Sequence, residues 1–565
     1  MEKFAEYEYV RPDLEKIRHE FLGYLQEFKE ADTYEQQDEA MKKIYQVRNY
    51  ADTMANLVYI RHSIDTADDY YKNEQDFIDE LDPHLKGLAD QFYQELVQSA
   101  FRSRLEEKWG KQLFQLAECQ LKTFSEEVLE DLQKENKLSS EYTKLVASAK
   151  IEFDGGEYTL AQLQPFMEST DRDVRKRANE AKFQFFAYHG EEFDRIYDQL
   201  VKLRDQIAKK LGFANFIELG YARMNRLDYN ASMAAAFRDQ VKEYIVPAAS
   251  RLYEKQKKRI RTEELAYYDE PVEFLTGNAV PKGDAEWIVN NGQKMYSELS
   301  GETDEFFKFM NERNLLDLLA KKGKAAGGYC TYIADHHAPY IFANFNGTAD
   351  DLMVLTHEVG HAFQVYMSRG YEVSEYHFPT YEACEIHSMS MEFFTWPWMD
   401  LFFKEDTDKY KFSHLAGALL FIPYGVAVDE FQHYVYGNPE ASPEERHQAW
   451  REIEHKYLPD RNYAGNEYLE KGGFWQKQSH IYSSPFYYID YTLAQICALQ
   501  FWKRLQDEDQ NAWEDYLNLC RQGGSKSFLE LVKEANLESP FKKGALEKTV
   551  AEAENWLNSI DDLAL

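Results

Sequence analysis

Asp351-Leu-Met-Val-Leu-Thr-His-Glu-Val-Gly-His-Ala-Phe-Gln364 is the stretch from which the rest of the chain is read. Leu352, Leu355, Val359 and Phe363 recur at spacings of three and four, the period of one helix face. Asp350 and Asp351 fall in the first turn, where the helix dipole favours negative charge, and Thr348 is the expected N-cap. On this helix His357 and His361 stand one turn apart and aim two imidazoles at one point, with Glu358 beside them. Two neutral imidazoles and a carboxylate suit zinc, and three protein ligands leave a fourth tetrahedral position for water. The spacing predicts a catalytic divalent-metal site with its own base. Chance occurrence of a short string in a chain with 15 His is the bland alternative, and the strong helix pattern around the string disfavours it.

Such a site needs a third protein ligand. Met367 stands where a three-histidine motif would place its last histidine, so that ligand is expected to be a carboxylate. Glu372, Glu375, Glu382, Glu385 and Glu392 all follow. The stretch Tyr381-Glu-Ala-Cys-Glu-Ile-His-Ser-Met-Ser-Met-Glu-Phe-Phe394 reads as a second helix, with Glu385, Ser388 and Glu392 on one face. Glu385 is the expected ligand, and Glu392 the partner that orients a ligand imidazole, with Ser388 between them. Glu382 is the main competitor, and a solvated acidic face is the functionless reading of all three carboxylates.

These residues carry a resemblance. His357-Glu-x-x-His361, Glu385 at 24 residues further on, and the continuation Glu385-Ile-His-Ser-Met-x-Met-Glu392 resemble the thimet-oligopeptidase and oligoendopeptidase F family of zinc metallopeptidases, in particular its bacterial oligoendopeptidase F and Pz-peptidase branch. Gly323-Lys-Ala-Ala-Gly-Gly-Tyr-Cys330 upstream and His480 to Tyr491 downstream extend the likeness. It implies a mainly α, two-lobed peptidase with a small β-sheet beside the His-Glu-x-x-His helix and a deep substrate cleft between the lobes. It also implies one zinc ion per chain and short peptides as substrates.

Composition is consistent with that reading. The chain has 565 residues, enough for more than one core, and 99 acidic against 65 basic residues give a net charge of −34. Such a charge repels phosphate backbones and anionic lipid, so neither nucleic acid nor membrane is an expected partner. Five cysteines with no close pair suit free thiols in a reducing compartment. The opening residues lack a basic region followed by an apolar core, and the apolar run Leu415 to Val428 is too short to span a bilayer. The expected location is the cytoplasm.

Low Pro and Gly content favours long helices. Thr33 and Gln36 form a capping box ahead of Met41, Ile44, Val47, Ala51, Met54 and Val58, a stripe of helical period. Ile151 to Leu160, with Asp-Gly-Gly at its centre, reads as a small hairpin, after which Ser169 or Thr170 opens another helix. A soft boundary near residue 190 separates an N-terminal helical lobe, 1–190, from a catalytic lobe, 191–565. Before the metal helix, Gly328 to Ile333 and Tyr340 to Phe345 are β-forming, with a turn at Asp335-His-His-Ala-Pro339 between them. The free edge of this hairpin is placed to pair with an extended peptide, which makes Gly328 and Tyr329 substrate-binding candidates. His336 and His337 read as solvent-exposed turn residues rather than ligands of a second ion.

Downstream, His480-Ile-Tyr-Ser-Ser-Pro-Phe-Tyr-Tyr-Ile-Asp-Tyr491 concentrates donors. A phenol O–H or imidazole N–H aimed at a carbonyl oxygen lowers the barrier of peptide hydrolysis. The family resemblance assigns that role to His480, Tyr488 and Tyr491, with Tyr482 and Tyr487 as substitutes. The mechanism so implied is attack by a zinc-activated water, with Glu358 taking its proton and delivering it to the departing amine. An exopeptidase on a related helical zinc scaffold, and a catalytically silent acidic peptide-binding protein, are the alternatives.

Overall fold

Fifteen Pro and 27 Gly leave long stretches free to run as helix, and helices carry most of the chain. The computed structural model describes residues 2–321, 323–325 and 327–565, so Ala326 of the Gly323–Cys330 motif lies outside it. Two compact units are present, each assembled from three segments. Unit 1 comprises Met1–Lys122, Pro281–Phe402 and Arg504–Leu537; unit 2 comprises Thr123–Val280, Phe403–Lys503 and Glu538–Leu565. Residue 190, where the sequence reading sets its boundary, lies inside unit 2, at the start of the helix Gly190–Lys210.

In unit 1 the helix Tyr34–Ile64 opens with the capping box expected of it: Thr33 Oγ1 accepts from the Gln36 amide and Gln36 Oε1 from the Thr33 amide, both at 3.3 Å. Met41, Ile44, Val47 and Ala51 are buried with Ile17, Phe21, Leu25 and Phe28 of the helix Leu14–Glu30. This unit also holds a three-stranded sheet. Two strands of unit 2, β1 (Ile151–Phe153) and β2 (Gly156–Tyr158), precede its strands in the chain, which are β3 (Leu316–Leu319), β4 (Tyr329–Ile333) and β5 (Ala338–Phe345). β4 pairs antiparallel with β5, from Tyr329 opposite Phe342 to Ile333 opposite Ala338. β3 lies parallel on the other side, Leu316 opposite Ile341. The expected hairpin is therefore one half of a larger sheet in which β5 is central; only β4, of that hairpin, has a side not paired within the sheet. Leu-Asp-Leu-Leu in β3 has no β-branched residue and gave no strand signal.

The helix Asp350–Ser368 packs against β4 and β5. Its start differs from expectation: Thr348 Oγ1 donates to Asn346 Oδ1 (2.7 Å) rather than capping the helix. The Asp351 carboxylate accepts from the amides of Asn346 (2.7 Å) and Gly347 (2.8 Å), so it tethers the preceding loop to the first turn.

In unit 2, β1 and β2 form the expected hairpin, with Asp154 and Gly155 at φ 44° and 82° in its turn. Asp171, rather than Ser169 or Thr170, caps the next helix, Arg172–Tyr188, by accepting from the amides of Asp173 and Val174. The helix Thr407–Gly437 takes Pro423 in its interior. Among the described residues, Asp400–Gly437 is the one helical stretch long and apolar enough to cross a membrane; 72% of its most apolar window is buried inside the protein, as in a core helix. None of the five cysteines, all of them described, is joined in a disulfide.

Candidate active site

Val359-Gly360-His361 runs where the helix Asp350–Ser368 meets the helix Tyr381–Phe394. A Cβ on Gly360 would stand 2.6 Å from the His387 carbonyl oxygen and 2.6 Å from Ser388 Cα. Only glycine permits this approach, and the approach brings the Glu385 carboxylate to the two imidazoles. His357 Nε2 lies 3.2 Å and His361 Nε2 3.4 Å from the same oxygen, Glu385 Oε2. These three residues are the group able to hold a metal ion among the described residues, with donor atoms within 4.8 Å of one another.

The donor set fits zinc. Donors around a tetrahedral ion at about 2.0–2.1 Å stand about 3.3–3.4 Å apart, close to the separations found here. Glu358 Oε2 is buried and has no hydrogen-bond partner among the described residues, which is costly unless a water or an ion's water meets it. Around these residues the supports are specific. Glu392 Oε1 lies 2.8 Å from His357 Nδ1, which leaves Nε2 to face Glu385. Ser388 Oγ donates to Glu385 Oε2 at 2.9 Å.

Electrostatics follow from burial and crowding. Burial opposes charge on His357, but the Glu385 and Glu392 carboxylates hold it well above its usual pKa. Burial opposes charge on Glu385 as well, and His361 and His357 hold it well below the carboxylate range. Glu358 behaves differently: burial raises its pKa, opposed by the two histidines. A carboxylate of raised pKa is the form a proton-accepting base takes near neutrality.

The other expected residues divide. Gly328 borders the base, since a Cβ there would stand 3.5 Å from Glu358 Oε1. The Tyr329 ring stacks on Phe342 at 4.8 Å and meets Tyr59 at 4.9 Å, so its face is taken up by protein. Glu382 is buried in the same helix as Glu385 but outside the metal group. Glu375 is bound to Arg48 at 2.6 Å. His336 stacks on Tyr7 at 3.6 Å, and His337 is exposed in the turn with φ 48°.

In unit 2, His480, Tyr487, Tyr488 and Tyr491 form one half-buried cluster. The His480 ring lies 5.0 Å from Tyr488, 5.6 Å from Tyr487 and 5.7 Å from Tyr491, and His480 Nε2 is 3.4 Å from the Tyr491 hydroxyl. Gln478 Nε2 meets His480 Nδ1 at 2.8 Å, while Tyr424 donates to Gln478 Oε1 at 2.9 Å. Tyr482 does not belong to the cluster: it is fully buried, stacked on Tyr142 at 3.9 Å, and its hydroxyl donates to the Phe193 carbonyl. A phenol so enclosed is not presented to a peptide, contrary to the sequence expectation that Tyr482 substitutes for Tyr488 or Tyr491. Asp490 is equally buried and holds Arg226 at 2.8 Å.

Sequence reasoning missed Gly360 and Gln478. Gly360 had a signal, because glycine inside a helix costs about 1 kcal/mol against alanine and so calls for a packing reason. Gln478 had none.

Two histidines one turn apart, closed by a carboxylate from the next helix, define a site of the metallopeptidase class. The chain belongs to peptidase family M3: residues 4–124 match the Peptidase M3 N-terminal domain, and residues 165–274 and 295–551 match Peptidase family M3. It is similar in structure to Pz peptidase A solved with an inhibitor, at 65% identity and a TM-score of 0.97 over 99% of this chain and 100% of that one. A Bacillus anthracis (strain Ames) structure carrying the assignment oligoendopeptidase F is 61% identical, with a TM-score of 0.93 over 100% of both chains. In sequence, the oligopeptidase PepF of Bacillus subtilis (strain 168) is 22% identical over 93% of this chain and 80% of its own length.

Proposed function

We propose that this protein is a zinc-dependent oligoendopeptidase that hydrolyses internal bonds of short peptides. The observation that carries the reading is the convergence of His357 Nε2 and His361 Nε2 on Glu385 Oε2, beside a buried and unpartnered Glu358 oxygen. Family membership and the names of the relatives, oligopeptidase and oligoendopeptidase, support the substrate class.

His357, His361 and Glu385 hold the ion. When bound, zinc supplies a Lewis acid that acidifies water and polarises a carbonyl. Glu392 keeps the proton on His357 Nδ1, so that Nε2 offers its lone pair. Glu358 takes the proton from the attacking water and returns it to the leaving amine; its raised pKa matches both tasks. The phenols of Tyr488 and Tyr491, with the His480 imidazole, donate to the oxygen on which negative charge develops. Burial keeps the Tyr488 phenol protonated and able to donate.

The test is mass spectrometry of peptides blocked at both ends, incubated with the zinc-loaded wild type and with Glu358→Gln. Internal cuts by the wild type alone support the reading. Trimming restricted to unblocked ends favours an exopeptidase, and absence of cleavage by either protein favours a peptide-binding role.

A further inference from the structure

One group of charges in unit 2 is not used by the proposed chemistry. Lys477 ends the short helix Gly473–Lys477, three residues before His480, and its Nζ lies 4.1 Å from the centroid of the Phe474 ring and 5.5 Å from that of Tyr424. Phe474 stacks on Phe183 at 5.8 Å, and the neighbouring Lys182 on the helix Arg172–Tyr188 interacts electrostatically with Lys477. Both lysines are half-buried, and neither ammonium is in an ion pair among the described residues. That is unusual in a chain carrying 34 net negative charges.

The nearby carboxylates are committed elsewhere. Glu270 is held by Arg461 at 2.9 Å, and Glu454 by Arg451 at 2.5 Å. Burial, then repulsion from Lys182 and Arg461, pushes Lys477 well below the usual lysine range, and burial brings Lys182 down to about 8. An aromatic shelf bearing two amines outside any ion pair, whose ammonium forms burial disfavours, gains from any carboxylate that settles on it and steadies their charge. The shelf is continuous with the His480 cluster: the Tyr424 ring lies 5.9 Å from Phe474 and 5.7 Å from Tyr488. Lys477 is thus separated from Tyr488 by one aromatic ring, that of Tyr424.

We propose that Lys477, backed by Lys182, is a receptor for a carboxylate of the peptide, either its free C-terminus or an acidic side chain. It deepens the oligoendopeptidase reading and rests on it, because the ligand is a peptide already seated at His480 and Tyr488.

The experiment measures binding separately from turnover. Zinc-loaded Glu358→Gln is titrated calorimetrically with one peptide in three forms: free C-terminal acid, C-terminal amide, and amide with a glutamate at the last position. The form that presents the carboxylate being read is expected to bind about tenfold more tightly than the plain amide, the size of one charge-assisted contact. The three forms tell which carboxylate is read: tighter binding of the free acid alone assigns the terminus, of the glutamate amide alone an acidic side chain, and of both a receptor that takes either. In the added background of Lys477→Met, or of Lys182→Met with Lys477→Met, the ratio is expected to fall to near one. Lys477→Arg, which keeps the charge, is expected to preserve it and guards against a folding defect. Equal binding of all three forms, or a ratio that survives Lys477→Met, overturns the proposal. Failure of the peptidase reading shows separately, as wild type that leaves blocked peptides intact.

Discussion

Gly360 and His387 are in backbone contact: a methyl group on the first would lie 2.6 Å from the carbonyl oxygen of the second. The glycine inside the His-Glu-x-x-His string thus sets the distance between the helix that carries both imidazoles and the helix that carries Glu385. Gly360→Ala is expected to force the two helices apart. Overpacking of this kind costs typically about 1–3 kcal/mol, and the obstacle here is backbone, which yields less than a side chain. Zinc affinity, measured by competition with a chromophoric chelator, is expected to fall along with the melting temperature. A variant that melts lower but binds zinc as wild type does would separate the crossing from the site.

Glu392 Oε1 meets His357 at Nδ1, at 2.8 Å, while Nε2 of the same ring faces Glu385. Its expected contribution is orientation of the imidazole. Partners of this kind are worth about 10–100-fold in metal affinity. Glu392→Gln keeps the shape but replaces the strong acceptor, and it is expected to weaken zinc binding within that range. Chelator competition at constant pH reads it. An unchanged affinity would leave Glu392 as a packing residue.

The candidate metal group was legible because its chemistry is local. His357, Glu358 and His361 lie on one turn, and Glu385 and Glu392 lie on one face of the next helix, so helical period alone groups them. The apolar stripe from Met41 to Val58 and the hairpin of β1 and β2 were legible for the same reason. What could not be read depends on partners distant in sequence. β3 is a strand because β5 accepts it, and nothing in Leu-Asp-Leu-Leu announces that. Tyr482 and Tyr488 look alike in sequence, yet one is enclosed by Tyr142 and Phe193 while the other stands beside His480. Residue pattern places neither Lys182 near Lys477 nor Gln478 against His480, since tertiary packing makes both encounters.

Asp490 lies between Ile489 and Tyr491 and holds the fully buried Arg226 at 2.8 Å. Removal of one partner from such a pair leaves the other charge uncompensated in the interior, at a cost of about 3–5 kcal/mol. Asp490→Asn is expected to destabilise unit 2 by an amount of that order and to loosen the segment that carries Tyr488 and Tyr491. Hydrogen exchange should report faster opening of the helix Tyr488–Gln506 while zinc affinity in unit 1 is retained. Equal loss of protection in both units would argue against a local role.

Tyr488 and Tyr491 differ from most of the 40 tyrosines of the chain in sharing contact with one histidine, His480. If their hydroxyls donate to the developing oxyanion, their loss is felt in the transition state more than in the bound substrate. Removal of one such donor costs about 100- to 1000-fold in kcat. Tyr488→Phe and Tyr491→Phe are each expected to lower kcat with little change in KM, and at least one should approach that range. Tyr482→Phe is the internal comparison, because its hydroxyl is bonded to the Phe193 carbonyl and enclosed by protein. It is expected to alter stability slightly and kcat hardly at all. Steady-state kinetics on one blocked peptide decides among the three: a kcat unchanged in both cluster variants removes the phenols from the chemistry, and a rise in KM alone makes them contacts to bound substrate.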